Sequence, residues 1–343
     1  MLKKLELSEL VVSDVPTKAP LALSGKLLEQ LIVQNSGANM SLAVQLPALK
    51  VLRESCLLFV ETQQVILRSF ANVRSLELTL EHQNQLQPAL EQTPQLEKLT
   101  AHIRQQPTDA LVLQLAQHCT RLQELTMGYE QSLTQLTDQA LLALAQGCKG
   151  LRKLNLGIVD HLTHSGVEAI GRSCSQLTHL NIQPFPGGEA GCVLNDHVLA
   201  QFHRCKQLQE LSLQSWDGFT MNGFKSAVGE WPSIIKLYLK HCDGLKDTAA
   251  LLCALASGAR RLSELVLEGG KLNPEEGSQA ANQMVACGMN LASIRIYAGD
   301  PLTEEMILIF LRGMANMKEF TPPFHLLDKG QLAIDWRAAY HIR

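Results

Sequence analysis

The residues from Leu133 to Leu156, LTQLTDQALLALAQGCKGLRKLNL, spell out one complete structural unit. Thr137 and Asp138 carry side-chain oxygens able to cap a helix N-terminus. Leu141, Leu142, Leu144 and Ala145 then fall at the spacing that puts apolar side chains on one helix face. Gly147 suits the helix exit, where a left-handed backbone is often required. Leu151, Leu154 and Leu156 follow in the pattern L-x-x-L-x-L, and alternation along a strand sends Leu154 and Leu156 to the same side. The unit is therefore one strand, a turn and one helix.

Working outward, the same pattern opens at Leu2, Leu28, Leu49, Val73, Leu96, Leu122, Leu151, Leu177, Leu208, Ile234, Leu262 and Leu291, with a degenerate copy at Met317. The commonest step is 26 residues, as from Leu96 to Leu122 and from Leu208 to Ile234. Helix openings recur between the copies. Thr163 precedes HSGVEAIGRSC, Asn195 and Asp196 precede HVLAQFHRC, and Asp247 precedes TAALLCALASGA. Pro274 follows Asn273 at a first helical position, where its missing N–H costs nothing, and Thr303-Glu304-Glu305 places acid at the positive end of a helix dipole. Such a unit cannot bury its own apolar face, so its neighbours must do so by stacking. The expected architecture is a right-handed α/β solenoid of about 12–13 repeats, a horseshoe with parallel strands on the concave face and helices on the convex face. Residues 1–321 form the array, irregular over 1–109 and regular over 110–316. Pro322-Pro323 stops the last strand, and residues 322–343 read as a C-terminal cap or tail.

Composition agrees with a layered core. Hydrophobic residues make up 46% of the 343, yet only 5% are aromatic, so near-identical Leu layers have to do the packing. A net charge of −3 argues against nucleic-acid binding, and no polybasic run invites an anionic membrane surface. No apolar run approaches the length of a membrane span. The opening MLKKLELSEL lacks a signal-peptide core, and the nine cysteines are an odd count. The expectation is a reducing compartment, cytoplasmic or nuclear.

Cys119, Cys148, Cys174 and Cys205 each stand three residues before a strand-opening Leu, and Cys242 follows its strand in LYLKHCDGLKD. Equivalent slots in successive repeats stack, so these thiols read as a buried ladder of small apolar groups rather than metal ligands or disulfides. No C-x-x-C or H-E-x-x-H occurs. GFTMNGFKS (218–226) lacks the Gly directly before Lys that a phosphate loop needs. The eleven His and the acids are scattered, and no nucleophile–base pair can be nominated. No cofactor and no catalysis are expected.

The pattern C-x-x-L-x-x-L-x-L, then L-T-D, then a helix ending A-x-x-C appears here as CKGLRKLNL and LTDQALLALAQGC. It resembles the cysteine-containing leucine-rich repeats of F-box proteins, best from about residue 110 to 316. The resemblance implies the substrate-recognition subunit of an SCF-type ubiquitin ligase, with an F-box docking the ligase adaptor and the repeats capturing a target. No F-box pattern is found, because Leu2, Leu5 and Leu7 already form a repeat strand. An end layer without a polar cap leads to the expectation of a fragment or an N-terminal partner. A ligase-independent scaffold or regulator is the alternative.

Strand alternation sends the residues between the Leu positions out of the inner face. The resulting band contains Glu124 and Thr126, then Lys153 and Asn155, His179, Asn181 and Gln183, and Glu210, Ser212 and Gln214. It continues with Lys236, Tyr238 and Lys240, then Glu264, Val266 and Glu268, and closes with Ser293, Arg295 and Tyr297. Tyr129, Phe185, Trp216 and His241 lie just past strand ends. Aromatic and Arg side chains are the usual anchors of a protein interface, which singles out Trp216 and Tyr238. The long step from Leu177 to Leu208 holds the loop QPFPGGEAGCVLN (183–195), and insertions of this kind often sit on a binding face. Lys153, Lys236 and Lys240 would also admit a phosphorylated target.

Overall fold

The computed structural model describes residues 3–8, 21–24, 29–34, 42–45, 48–57, 71–80, 82–128, 134–184, 195–214, 218–297 and 302–320. The chain forms two compact units, 1–174 and 175–343. Both are α/β leucine-rich-repeat solenoids.

The first unit runs β1 (Lys4–Ser8), β2 (Leu21–Ser24), β3 (Gln30–Gln34), β4 (Leu42–Gln45), β5 (Val51–Leu57), β6 (Ser75–Leu80), α1 (Gln87–Gln92), β7 (Lys98–Ile103), α2 (Asp109–His118), β8 (Glu124–Gly128), β9 (Thr134–Thr137), α3 (Asp138–Gly147), β10 (Lys153–His161) and α4 (His164–Ser173). Strands β1, β3, β5, β6, β7, β8 and β10 pair in that order, all parallel. Their register is the sequence repeat itself, for Leu5 pairs with Leu31, then Leu52, Leu76, Leu99, Leu125 and Leu154. The second unit runs β11 (His179–Pro184), α5 (Asp196–Gln201), β12 (Glu210–Gln214), α6 (Met221–Val228), β13 (Lys236–Lys240), α7 (Thr248–Gly258), β14 (Glu264–Glu268), α8 (Pro274–Ala286), β15 (Ser293–Tyr297), α9 (Glu304–Gly313) and β16 (Glu319–Phe320). Its parallel register joins Leu180, Leu211, Leu237, Leu265, Ile294 and Phe320.

The core of each unit lies between strands and helices. Leu122, Leu125, Leu151 and Leu154 from strand segments and Leu115, Leu141 and Leu144 from helices are all buried. Each such side chain contributes about 1.5–3 kcal/mol on removal from water. Thr137, Thr163, Asn195, Asp247, Asn273 and Thr303, at the helix openings legible in the sequence, each accept a hydrogen bond from a first-turn N–H, and Thr220, which the sequence reading did not single out, does the same for α6.

Two expectations need correction. Where helices were expected in the early repeats, the described residues show two strands, β2 and β4, paired in parallel as a separate two-stranded sheet. Gly147 does not adopt a left-handed backbone; among the described glycines only Gly269 and Gly288 have positive φ. The reason for Gly147 is contact, because a Cβ there would stand 2.3 Å from the Ala116 carbonyl oxygen of the preceding helix.

The cysteine ladder is present. Cys119, Cys148 and Cys174 are buried at helix C-caps, and each thiol points at the carbonyl of its counterpart one repeat earlier: Thr93 at 3.8 Å, Cys119 at 3.6 Å and Cys148 at 4.0 Å. Cys242 donates to Lys240 O at 3.5 Å and Leu213 O at 3.8 Å.

Candidate functional site: the outward rows of the strands

Within each strand the Leu side chains point into the core and the residues between them point out. The burial of β8, β12 and β13 alternates accordingly. Parallel register stacks the outward residues into rows that cross neighbouring strands.

In the first unit, Lys98, Glu124 and Lys153 share one row. The Glu124 carboxylate lies 2.9 Å from Lys98 and 3.3 Å from Lys153. Partial burial raises its pKa, but the hydrogen bond and charge of Lys98, joined by Lys153, outweigh burial and hold the carboxyl below the ordinary range. The next row carries Thr100, Thr126 and Asn155, and the third carries His102 and Gly128. The expected band began at Glu124; the β7 contribution of Lys98, Thr100 and His102 was missed. Its signal was weak because the repeat at Leu96 ends in Ala101 where a Leu would complete the pattern.

In the second unit the first row holds His179, Glu210, Lys236, Glu264, Ser293 and Glu319. Glu264 is its hub, pairing with Lys236 at 3.5 Å and Arg295 at 3.1 Å. Arg295 also reaches Glu319 at 3.6 Å. His179 stands 3.8 Å from Glu210. The second row holds Asn181, Ser212, Tyr238, Val266 and Arg295. Tyr238 is half-buried, its phenol pushed up to about 12 by burial and by the Glu264 and Glu210 carboxylates. In the third row Gln214 registers with Lys240, Glu268 and Tyr297. Lys240 pairs with Glu268 at 3.5 Å, and His241, just past β13 with φ of 50°, meets the same carboxylate at 3.1 Å. Tyr297 projects, 50% exposed.

The structure thus brings Glu210, Gln214, Lys236, Tyr238, Lys240, Arg295 and Tyr297 onto one face of the second unit, with Asn181 and His179 beside them. Lys153 and Asn155 lie on the corresponding face of the first unit. Gln183 lies on β11, while Tyr129, Phe185, Trp216, most of the loop 183–195 and the segment 322–343 fall outside the described residues. Val266 and Ser293 are not open contact positions, being only 5% and 7% exposed. Lys236 and Lys240 face Glu264 and Glu268, while Lys153 shares Glu124 with Lys98.

Little else in the described residues resembles a chemical centre. No three His, Cys, Asp or Glu converge to hold a metal ion. A groove of about 520 Å³ between α5 and α6 is lined by Asp196, His203 and Glu230 among others. Its acids are engaged structurally, Asp196 with Thr220 and Glu230 with Lys206.

No family model matches the chain, and no curated protein matches it. Solved structures do. Rad7 of yeast, in its complex with Elc1, matches over 85% of this chain and 75% of its own, with 14% identity and a TM-score of 0.58. The leucine-rich repeat-containing protein LegL7 of Legionella pneumophila matches over 76% of this chain and 85% of its own, at 13% identity and a TM-score of 0.39. The mouse RP105/MD-1 complex matches over 92% of this chain and 57% of that one, at 14% identity and a TM-score of 0.38. The Rad7 likeness is one of fold; the other two superpose too loosely to bear on it.

Proposed function

We propose that this chain is a protein-interaction module that holds a polypeptide against the outward rows of its strands. The observation that carries the reading is the second-unit face. Tyr238, Arg295 and Tyr297 stand on β13 and β15, within a few strand spacings of one another, over a framework of neutralised ion pairs. Aromatic and Arg side chains on a rigid, charge-compensated surface are the composition of interface hot spots. The spread of the rows over many strands suits an extended polypeptide better than a small substrate.

More specifically, we assign the chain to target recognition in an SCF-type ubiquitin ligase, as an F-box/leucine-rich-repeat-like subunit or part of one. The cysteine-type repeats support this, as does the likeness to Rad7, a protein of the same fold solved with a protein partner. The reducing cytosol or nucleus is its proposed compartment, which the unpaired buried thiols favour. The second reading is a ligase-independent scaffold using the same face, since the resemblance rests on the repeats alone. Affinity capture from cells under native expression decides between them. Recovery of a cullin and its adaptor supports the ligase role, and partners without either support the scaffold.

A further inference from the structure

We propose that the first unit carries a subsite for the carboxylate of an acidic peptide segment, formed by Lys98, Lys153, Thr100 and Thr126 around Glu124. It rests on the reading that the strand rows hold a polypeptide, and it names the chemistry of part of that polypeptide.

Charge is the first argument. Lys98 and Lys153 both lean on one carboxylate, Glu124, at 2.9 and 3.3 Å. Two ammonium groups share one anion, leaving the row a net positive charge. The second-unit face is opposite in balance, with Glu210, Glu264, Glu268 and Glu319 against Lys236, Lys240 and Arg295. An acidic segment therefore gains on the first unit and not on the second.

Geometry is the second. Lys98 and Lys153 sit on strands either side of β8, about 10 Å apart at the backbone for two strand spacings of roughly 4.8 Å. Their side chains flank the space above Glu124. One register step further, Thr100 and Thr126 are direct neighbours across β7 and β8. Neither hydroxyl has a hydrogen-bond partner among the described residues, so both can donate to an incoming oxygen. Gly128 leaves the end of the array uncrowded, since a Cβ there would have only the His102 ring within 4 Å. A carboxylate entering between the lysines meets ammonium groups on two sides and hydroxyls on a third.

The same features favour a carboxylate over a phosphoryl group. The excess is one positive charge, matching a monoanion. The cations are lysines, point charges without the planar fork that grips phosphate oxygens in pairs. Glu124 is fixed between them and repels a dianion more strongly than a monoanion.

The test uses four synthetic peptides of one Gly/Ser backbone bearing Glu, Gln, Lys or phosphoserine at the same positions. Binding to the full chain is followed by fluorescence polarisation. The Glu peptide is expected to bind tightest and to weaken with salt. Lys98→Gln with Lys153→Gln is expected to weaken it about tenfold, two lost charge contacts. Glu124→Gln is expected to tighten it about threefold by removing the internal competitor. That gain is one a merely structural role for Glu124 would not produce. Equal binding of the Gln or Lys peptide, tighter binding of the phosphoserine peptide, no gain from Glu124→Gln, or no binding of any peptide would each overturn the subsite. Failure of the strand-face reading itself is separately visible, as retention of the captured cellular partner by Tyr238→Ala with Tyr297→Ala in the second unit.

Discussion

Asp138, in the first turn of α3, accepts the backbone N–H of Thr163 at 2.9 Å and the Thr163 hydroxyl as well, while Thr163 caps the next helix. Asp109 does the same for Thr137 (2.8 and 2.6 Å) and Asp196 for Thr220 (2.7 and 2.6 Å). Gln83 plays the part for Thr108 at 2.7 Å. The acid read from sequence as a local cap is thus a brace between repeats. Asp138→Ala leaves a part-buried N–H and hydroxyl unpaired and is expected to cost about 1–3 kcal/mol in urea unfolding. Asp138→Asn keeps an acceptor and should cost clearly less. An unchanged midpoint for Asp138→Ala would remove the brace from the account.

Gly147→Ala separates helix propensity from packing. Ala is worth up to about 1 kcal/mol over Gly inside a helix. Here the new methyl would meet the Ala116 carbonyl oxygen at 2.3 Å, and relieving it forces α2 and α3 apart. Overpacking of this kind costs about 1–3 kcal/mol, so the melting temperature is expected to fall. A rise would contradict the contact.

Burial pushes the Cys119 and Cys205 thiols up from 9.0 to about 12, and Cys148 to about 11. An acid whose folded pKa is raised holds its proton longer folded than unfolded. The stability it confers is complete below about pH 9 and drains away as pH rises toward 11–12. Iodoacetamide at pH 8 followed by mass spectrometry is expected to spare these three in the native chain and, among the described cysteines, to label the half-exposed Cys253 and Cys287 before them. Uniform labelling of the folded protein would refute the buried ladder.

Trp231 occupies the ladder slot that Cys205 fills one repeat earlier. It is fully buried, edge-to-face with Phe224 at 6.4 Å, and its indole N–H has no hydrogen-bond partner among the described residues. Trp231→Phe loses volume but also removes an orphan donor costing about 1–3 kcal/mol, so the two terms largely offset. The expected change in urea stability is under about 1 kcal/mol, against about 3–5 kcal/mol for Trp231→Ala. Equal losses for both variants would show that the N–H carries no penalty.

How much of this was readable in the sequence follows from what each feature depends on. Strand positions and register came from Leu spacing, because one buried Leu row per repeat allows only one stacking. Caps such as Thr163 and Asn273 were readable because a cap is a local bond. The braces from Asp109, Asp138 and Asp196 were not, since they join residues 24 to 28 apart. The reason for Gly147 was hidden likewise, for its contact lies on another helix. The outward rows were readable as a list, but not which members are free to bind. That depends on neighbours such as Glu264, which engages both Lys236 and Arg295, and on burial that closes over Val266. The first-unit row was cut short because Ala101 weakened the repeat that carries Lys98.

The most direct test of the central claim is partner capture compared across the two sides of the repeats. Tyr238→Ala with Tyr297→Ala changes the strand face, and Leu113→Ser with His197→Ala changes the helix side, both double variants first matched for stability against wild type. The account expects the strand-face pair to lose the captured partner by at least about tenfold, in line with hot-spot truncation, while the helix-side variants retain it. Retention by the strand-face pair with loss from the helix side would contradict it.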